Sequence, residues 1–323
     1  MKTLIDDALR HALDERHIRN FRDVDGDRVY EPKIIVVGVG GAGNNCINRI
    51  HRVGIHGVTT VAVNTDKQHL DIIEADKKIL IGDDITRGLG AGGDPEIGRR
   101  AAEESAHKLQ SILKNADLVY VVCGEGGGTG TGAAPVVARI AKRNSSIVVG
   151  MVSFPFKTEK SRIEKARKGI IELKNIADTV IVLENDRLLR IVPHLPLEQA
   201  FSIADELICH TVKGICETIT LPSLINLDFA DIKSIMNRGG VAMMTVGEAD
   251  GANRVDEVVK AAMRSTMLDV DFSGATGALI HITGGEDLTL GEANTIVEKM
   301  TKNIAENANV ISVSYTHLTL PTN

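Results

Sequence analysis

Short apolar runs rich in Val and Ile alternate with amphipathic stretches between residue 33 and about residue 196. Because these runs are apolar at almost every position, they predict strands buried on both faces of a parallel sheet. The stretches between them carry apolar residues at three- and four-residue spacing and predict helices. Strands are predicted at 34–37, 58–63, 78–81, 118–122, 147–152 and 179–183, and helices at 44–52, 95–113, 133–143 and 161–177. This order predicts the α/β fold class, with a Rossmann-like parallel sheet.

A long apolar helix is predicted at 197–216, and the pattern changes after it. Strand-like runs at 241–246 and 278–283, with helices at 254–267 and 290–305, predict a smaller α+β domain. Residues 1–20 predict an amphipathic helix, and the polar residues that follow predict a linker. The predicted parts are an N-terminal helix and linker (1–32), a parallel-sheet domain (33–196), a central helix (197–220), an α+β domain (221–311) and a tail (312–323).

Composition narrows the function classes. The chain has 323 residues, a net charge of −6, only 3% aromatic residues and no Trp, which argues against a nucleic-acid partner. Four widely spaced cysteines predict buried thiols in a reducing compartment rather than a disulfide framework. The acidic N-terminus is unlike a signal peptide, and no apolar run reaches membrane-spanning length. We therefore expect a cytoplasmic protein with no direct membrane insertion.

The most distinctive segment is 124–132, Gly-Glu-Gly-Gly-Gly-Thr-Gly-Thr-Gly, which holds six glycines in nine positions. It follows a predicted buried strand and leads into a predicted helix. Bare N–H groups, two hydroxyls and the positive end of a helix dipole suit such a loop to phosphate binding. A flexible linker is the alternative, but linkers are not normally framed by a strand and a helix. No lysine follows the glycines as in a Walker-type loop, so Mg²⁺ is expected to balance the phosphate charge.

Two further glycine loops precede this segment. Residues 38–43 fit G-x-G-x-x-G, a weak motif that also allows a nicotinamide dinucleotide, with Asp66 after the second strand as its ribose-binding acid. The third loop spans 90–95. A dinucleotide enzyme has no evident use for the richer loop at 124–132. Three loops together favour one phosphate chain held from several sides.

In order and spacing these motifs resemble those of the tubulin-like cell-division GTPases, the FtsZ family. The G-G-G-T-G-T/S-G signature is intact at 126–132, and segments 155–159, 185–189 and 200–205 also match family motifs. The likeness runs from about residue 33 to residue 311. It implies a GTP-binding domain at 33–196 that binds GTP or GDP with Mg²⁺. The nucleotide-binding residues it implies are Gly40, Gly41, Ala42, Gly43, Asn44, Asn45, Asn64, Asp66, Ala91, Gly92, Gly93, Gly126, Gly127, Gly128, Thr129, Gly130, Thr131, Glu159, Arg162, Asn185, Phe201 and Asp205.

Side-chain chemistry agrees with a guanine nucleotide. Phe201 could stack on a purine, and Asn185 and Asp205 could contact the guanine edge, where a carboxylate accepts from N1–H and the 2-amino group. Without the resemblance, Phe201 is more simply a core residue. An unpaired buried carboxylate at Asp205 is costly and harder to explain as core. Glu159 and Arg162 could equally form a surface ion pair.

The loop 226–231 supplies the candidate catalytic residues, Asn226, Asp228 and Asp231. The resemblance implies that this loop enters the nucleotide pocket of the next subunit, where the two acids would position the attacking water. Asp228 and Asp231 could instead cap a helix that begins near residue 229. Completing the site in trans implies a head-to-tail contact, which generates open filaments.

The resemblance therefore implies a GTPase that polymerises for cell division at mid-cell, with itself, membrane adaptors and regulatory division proteins as partners. Two alternatives remain: a nicotinamide-dependent enzyme and a non-polymerising GTP-binding regulator. After residue 311 the chain departs from the family pattern. We expect residues 312–323 to lie outside the fold, which would leave a sheet edge unpaired.

Overall fold

A seven-stranded parallel sheet forms the centre of the protein in a computed structural model, which describes residues 32–144, 146–220, 229–237, 240–267, 274–285 and 287–316. The predicted N-terminal helix and linker, Asn226, Asp228 and residues 317–323 lie outside these ranges. The strands are β1 (Ile34–Val39), β2 (Val58–Asn64), β3 (Lys77–Leu80), β4 (Leu118–Gly124), β5 (Ile147–Phe154), β6 (Thr179–Glu184) and β7 (Val241–Ala242). Their order in the sheet is β3-β2-β1-β4-β5-β6-β7.

Helices cover both faces of this sheet, as the continuous apolar runs predict. They are α1 (Gly40–Val53), α2 (Lys67–Ile72), α3 (Asp83–Thr86), α4 (Pro95–Glu104), α5 (Ala106–Leu113), α6 (Thr129–Arg143), α7 (Lys160–Lys174), α8 (Asn185–Ile191) and α9 (Leu197–Thr220). One core cluster joins the sheet to α4, α5 and α6, and a second joins its other face to α1 and α9. The predicted α/β class with a Rossmann-like sheet is confirmed.

Several boundaries differ from the sequence-based prediction. Helix α6 begins at Thr129, four residues before the predicted start, and its first turn includes Gly130 and Gly132, where a Cβ would strike the carbonyl oxygens of Gly124 and Pro95. The predicted helix 95–113 breaks at Ser105, which ends α4 and precedes α5. The predicted strand 241–246 is reduced to β7, two residues long.

The remaining elements are α10 (Phe229–Met236), α11 (Arg254–Arg264), β8 (Gly277–Gly284), α12 (Leu290–Thr301) and β9 (Asn309–Thr316). Strands β8 and β9 pair in parallel along their whole length. Helices α11 and α12 are tied by Arg254, which donates to Glu292 at 2.8 Å. Our prediction ends the fold at residue 311, whereas β9 continues to Thr316, because its later residues still find partners on β8.

The strand order reverses between β1 and β4. Strand β1 leads into α1 on one face of the sheet, and β4 leads into α6 on the other face. A crevice therefore opens beyond the carboxyl ends of these two strands. In open parallel sheets this is where ligands bind. The two glycine loops predicted to hold phosphate follow β1 and β4, and the topology therefore brings them to one place.

Candidate functional site

The loops after β1 and β4 are in direct contact. Val39 and Cys123 are register partners at the ends of the two strands. Gly40 has a φ of +74°, and a Cβ there would lie 2.9 Å from the backbone nitrogen of Gly130. Glycine at position 40 thus allows both the left-handed turn and the close approach. The two loops form one continuous wall.

This wall bounds a cavity of about 720 Å³, within the size range of small-molecule sites. A Cβ at Gly41 or Gly127 would have no other heavy atom within 4 Å, so the backbone there is open to a ligand. Twelve predicted nucleotide-binding residues line the cavity: Gly41, Ala42, Asn45, Gly127, Gly128, Thr129, Gly130, Glu159, Arg162, Asn185, Phe201 and Asp205.

Four of the remaining predicted residues use their polar groups within the protein. Asn44 bridges α1 to β2 through two 3.3 Å hydrogen bonds with the backbone of Val63. Asn64 accepts from the backbone of the next residue at 2.9 Å, and Asp66 caps α2 by accepting from the His69 N–H at 3.1 Å. Thr131 accepts from the Gly126 N–H at 2.8 Å. These side chains hold the loops in shape and do not line the cavity.

The other predicted residues, Gly40, Gly43, Ala91, Gly92, Gly93 and Gly126, also lie outside the cavity lining. Gly43 packs α1 against β4, since a Cβ there would lie 2.2 Å from the Val122 carbonyl oxygen. Ala91 supports the main loop, because a Cβ on Gly128 would lie 2.9 Å from the Ala91 methyl group. A Cβ at Gly92 or Gly93 would have no other heavy atom within 4 Å.

An aromatic pair stands at the end of the cavity formed by α9. The rings of Phe156 and Phe201 have centroids 5.8 Å apart and are tilted by 57°. Phe201 is 38% exposed, so the core interpretation of this residue is wrong. Phe156 also lines the cavity and was missed by the sequence analysis. Its signal was an aromatic residue inside a segment already singled out, 155–159.

Asp205 lies on the cavity wall beside Phe201, where the thiol of Cys46 donates a hydrogen bond to its Oδ1 at 2.6 Å. Burial raises the pKa of the Asp205 carboxyl, while the Cys46 hydrogen bond and the charge of Arg49 act in the other direction. Burial, followed by the charge of Asp205, raises the pKa of the Cys46 thiol well above its usual value. Cys46 therefore stays a neutral donor, which orients the carboxylate.

Glu159 and Arg162 form the ion pair that the sequence analysis considered, and they also lie at the cavity predicted to bind the nucleotide. The Arg162 guanidinium donates to Glu159 at 2.7 Å, and both residues line the rim of the cavity. The other Glu159 oxygen accepts from the Phe156 N–H at 3.0 Å. A Cβ on Gly126 would lie 2.9 Å from the Arg162 carbonyl oxygen, so α7 begins directly against the main glycine loop. The ion pair thus connects the aromatic end of the cavity to its glycine wall.

The chain matches two family models. Residues 33–193 match the GTPase domain of the Tubulin/FtsZ family, and residues 240–318 match the FtsZ family C-terminal domain. It is 56% identical over 311 residues to cell division protein FtsZ 2 of Methanocaldococcus jannaschii, covering 95% of this chain and 80% of that protein. The chain belongs to the FtsZ family. The second family model extends to residue 318 and so includes the segment that departs from the family motifs noted above.

Solved structures agree with this family. An FtsZ dimer from M. jannaschii superimposes with a TM-score of 0.85 at 47% identity, covering 98% of this chain and 88% of that one. The CetZ2 protofilament of Haloferax volcanii shares the fold, with a TM-score of 0.76 at 23% identity, 88% of this chain and 89% of that one. The nicotinamide-enzyme and non-polymerising-regulator alternatives receive no support from these relatives.

Asp231, the one candidate catalytic residue within the described ranges, is exposed on the first turn of α10. The last residue of that helix, Met236, accepts a hydrogen bond from the Thr179 hydroxyl at 2.7 Å. Thr179 is the first residue of β6, and the cavity residue Asn185 directly follows the last residue of that strand. At about 3.3 Å per residue, Thr179 and Asn185 are about 20 Å apart. Asp231 lies only about 7.5 Å along α10 from Met236. Whichever way α10 runs, Asp231 is therefore separated from Asn185 by at least about 12 Å, which is more than an aspartate side chain can span.

Glu125 is a cavity residue that the sequence analysis did not select. It is the only charged residue in 124–132, yet it is 5% exposed. Burial, with a smaller contribution from Glu172, raises the pKa of its carboxyl to about 7, and hydrogen bonds with Thr131 and Cys123 oppose the rise. The available signal was a lone acid among six glycines, which phosphate binding does not explain.

Proposed function

We propose that this FtsZ-family protein binds GTP with Mg²⁺, polymerises head-to-tail into division filaments and hydrolyses GTP at the contacts between subunits. The observation that carries this proposal is the separation of Asp231 from the cavity of its own subunit. A candidate acid separated in this way from its own cavity reaches a cavity only in a neighbouring copy. The contact is then heterologous and extends into an open filament.

The hydrogen-bond donors at the cavity suit a nucleoside triphosphate. Open backbone at Gly41 and Gly127 and the start of α6 at Thr129 offer N–H groups and a helix dipole to phosphate oxygens. Phe201 and Phe156 offer a surface for the base, and Asp205 an acceptor for guanine N1–H and its amino group.

The residues around the cavity also fit Mg²⁺ held mainly by the nucleotide. In the part of the chain that the structure describes, no group of three His, Cys, Asp or Glu side chains could hold a metal ion. Mg²⁺ retains several waters and commonly binds through phosphates with few protein ligands. The Thr129 hydroxyl lines the cavity, lies 2.6 Å from the buried Thr65 hydroxyl, and is a candidate oxygen ligand at the glycine wall. Mg²⁺ would neutralise phosphate charge there.

In the neighbouring subunit, Asp231 would orient the attacking water, together with Asn226 and Asp228. Phosphoryl transfer depends mostly on positioning and charge stabilisation, so groups delivered by a second subunit can start the reaction. GTP would favour assembly and hydrolysis would weaken it. We further propose action at mid-cell through membrane adaptors and regulatory division proteins. None of the described helices is both long and apolar enough to cross a bilayer.

A mixing experiment tests the shared site. Asp231→Ala keeps the cavity and is expected to bind GTP without turnover. Asp205→Ala keeps Asp231 and is expected to lose nucleotide. In an equal mixture, about one contact in four joins an intact cavity to an intact Asp231, so about a quarter of wild-type phosphate release should return. Near-normal turnover by Asp231→Ala alone, or an inactive mixture of co-assembling variants, would refute the shared site.

A further inference from the structure

The carboxyl group of Glu125 is enclosed behind the main glycine loop. Its Oε2 packs against Gly169 of α7, where a Cβ would lie only 2.2 Å away. Its Oε1 accepts from the Cys123 thiol at 3.7 Å. Among the described residues, Oε2 has no hydrogen-bond partner. Only 5% of the surface of Glu125 is exposed, so its carboxyl has little access to water.

Among the residues that the structure describes, no cation lowers the pKa of the Glu125 carboxyl. Strand β4 contributes Cys123, whose thiol pKa is raised well above its usual value by burial and then by the charge of Glu125. Helix α6 contributes the Thr131 hydroxyl, and α7 contributes Gly169 and the more distant carboxylate of Glu172. Arg162 of α7 lies against Gly126 and is paired with Glu159. Within the described ranges, the groups that favour a negative charge on Glu125 are the weak donors Cys123 and Thr131.

Glu125 is also joined to the loop that faces the cavity. Its backbone N–H donates to the Ser153 carbonyl at 2.9 Å, and the next N–H, of Gly126, donates to Thr131. Residues 127–130 then line the cavity, as Glu125 itself does. A polyphosphate in this cavity adds negative charge and excludes water, and both effects favour the neutral form of an adjacent buried carboxyl.

We propose that Glu125 is a positioning residue whose carboxyl must be protonated for the glycine loop to hold a nucleotide, so that nucleotide binding takes up a proton. This inference rests on the proposed function for the identity of the ligand. Because bound ligand and bound proton stabilise one another, affinity falls as the pH rises. Above pH 7 the loss approaches tenfold in Kd per pH unit while the bound form retains its proton.

Titration calorimetry with GDP, which avoids turnover, measures the proton directly. At pH 7.5, the dependence of the binding heat on the ionisation enthalpy of the buffer gives the number of protons taken up. Free Glu125 with a pKa of about 7 is roughly one-quarter protonated at that pH, so uptake of roughly three-quarters of a proton is expected. Glu125→Gln should lower the uptake by this amount and flatten the dependence of Kd on pH. Subtracting the variant from wild type removes the contribution of the GDP phosphates.

Glu164→Gln is the matched control, because Glu164 is an exposed acid on α7 paired with Lys168, and it should keep wild-type uptake. Equal uptake by wild type and Glu125→Gln would overturn the proposal. If Glu125→Gln does not fold, a constant GDP Kd in wild type from pH 6.5 to 8.5 would overturn it as well. Binding without this proton uptake leaves the proposed function standing, whereas absence of GDP binding in all three proteins would overturn both.

Discussion

Replacing Phe201 by Ala tests whether the aromatic end of the cavity binds the base. Stacking of a base on an aromatic side chain contributes about 1–3 kcal/mol, so the variant should bind GDP about 5- to 150-fold more weakly. The ring is 38% exposed and packs on Phe156 at a tilt of 57°, so its removal should cost the fold about 1 kcal/mol. A core Phe would cost about 3–5 kcal/mol.

Two measurements on each protein separate these outcomes: the GDP Kd by calorimetry and the free energy of unfolding in urea without nucleotide. Leu189→Ala is the control, because Leu189 is an exposed apolar residue outside the cavity lining. It should change neither quantity much. A Phe201→Ala protein with GDP affinity within twofold of wild type, or with a loss of stability typical of a core residue, would refute the stacking role.

Two further predictions concern buried groups. Tyr120→Phe should stabilise the protein by about 1 kcal/mol and raise Tm by about 1–2 °C, because the Tyr120 side chain is fully buried and its hydroxyl has no hydrogen-bond partner among the described residues; a lower Tm for the variant would show that the hydroxyl is satisfied in solution. Because its pKa is raised, Glu125 contributes about 3 kcal/mol to the free energy of unfolding below its ordinary pKa of 4.5, and this contribution is lost as the pH rises through about 7. Urea unfolding of Glu125→Gln between pH 4.5 and 8 should lack this decline, and curves parallel to wild type would contradict it.

The strands and the glycine loops were predictable because their signals are local. Buried parallel strands are apolar at consecutive positions, and β1, β2, β4, β5 and β6 were all found within a few residues of their ends. The position of the cavity follows from topology, since loops after neighbouring strands meet at one edge of a sheet. The family motifs then identified half of the residues on its wall.

The sequence could not distinguish residues that line the cavity from residues that stabilise the loops around it. Asn44 and Asn64 are close in sequence to residues that line the cavity. Their side chains instead form hydrogen bonds with the backbone of β2 and of the loop that follows it. Composition does not reveal which way a side chain faces inside a loop. For the same reason Glu125 was passed over, since its burial depends on Gly169, which is 44 residues away in the chain and leaves room for the carboxyl.

All neighbours in the main sheet run in the same direction, so the two ends of the molecule differ chemically. In a filament that repeats this unit, one tip always presents an uncovered cavity and the other always presents α10. Under the proposed contact, each interior nucleotide is covered by the next subunit. We then expect GDP to be replaced by GTP mainly at the tip with the uncovered cavity, and the two tips to gain and lose subunits at different rates.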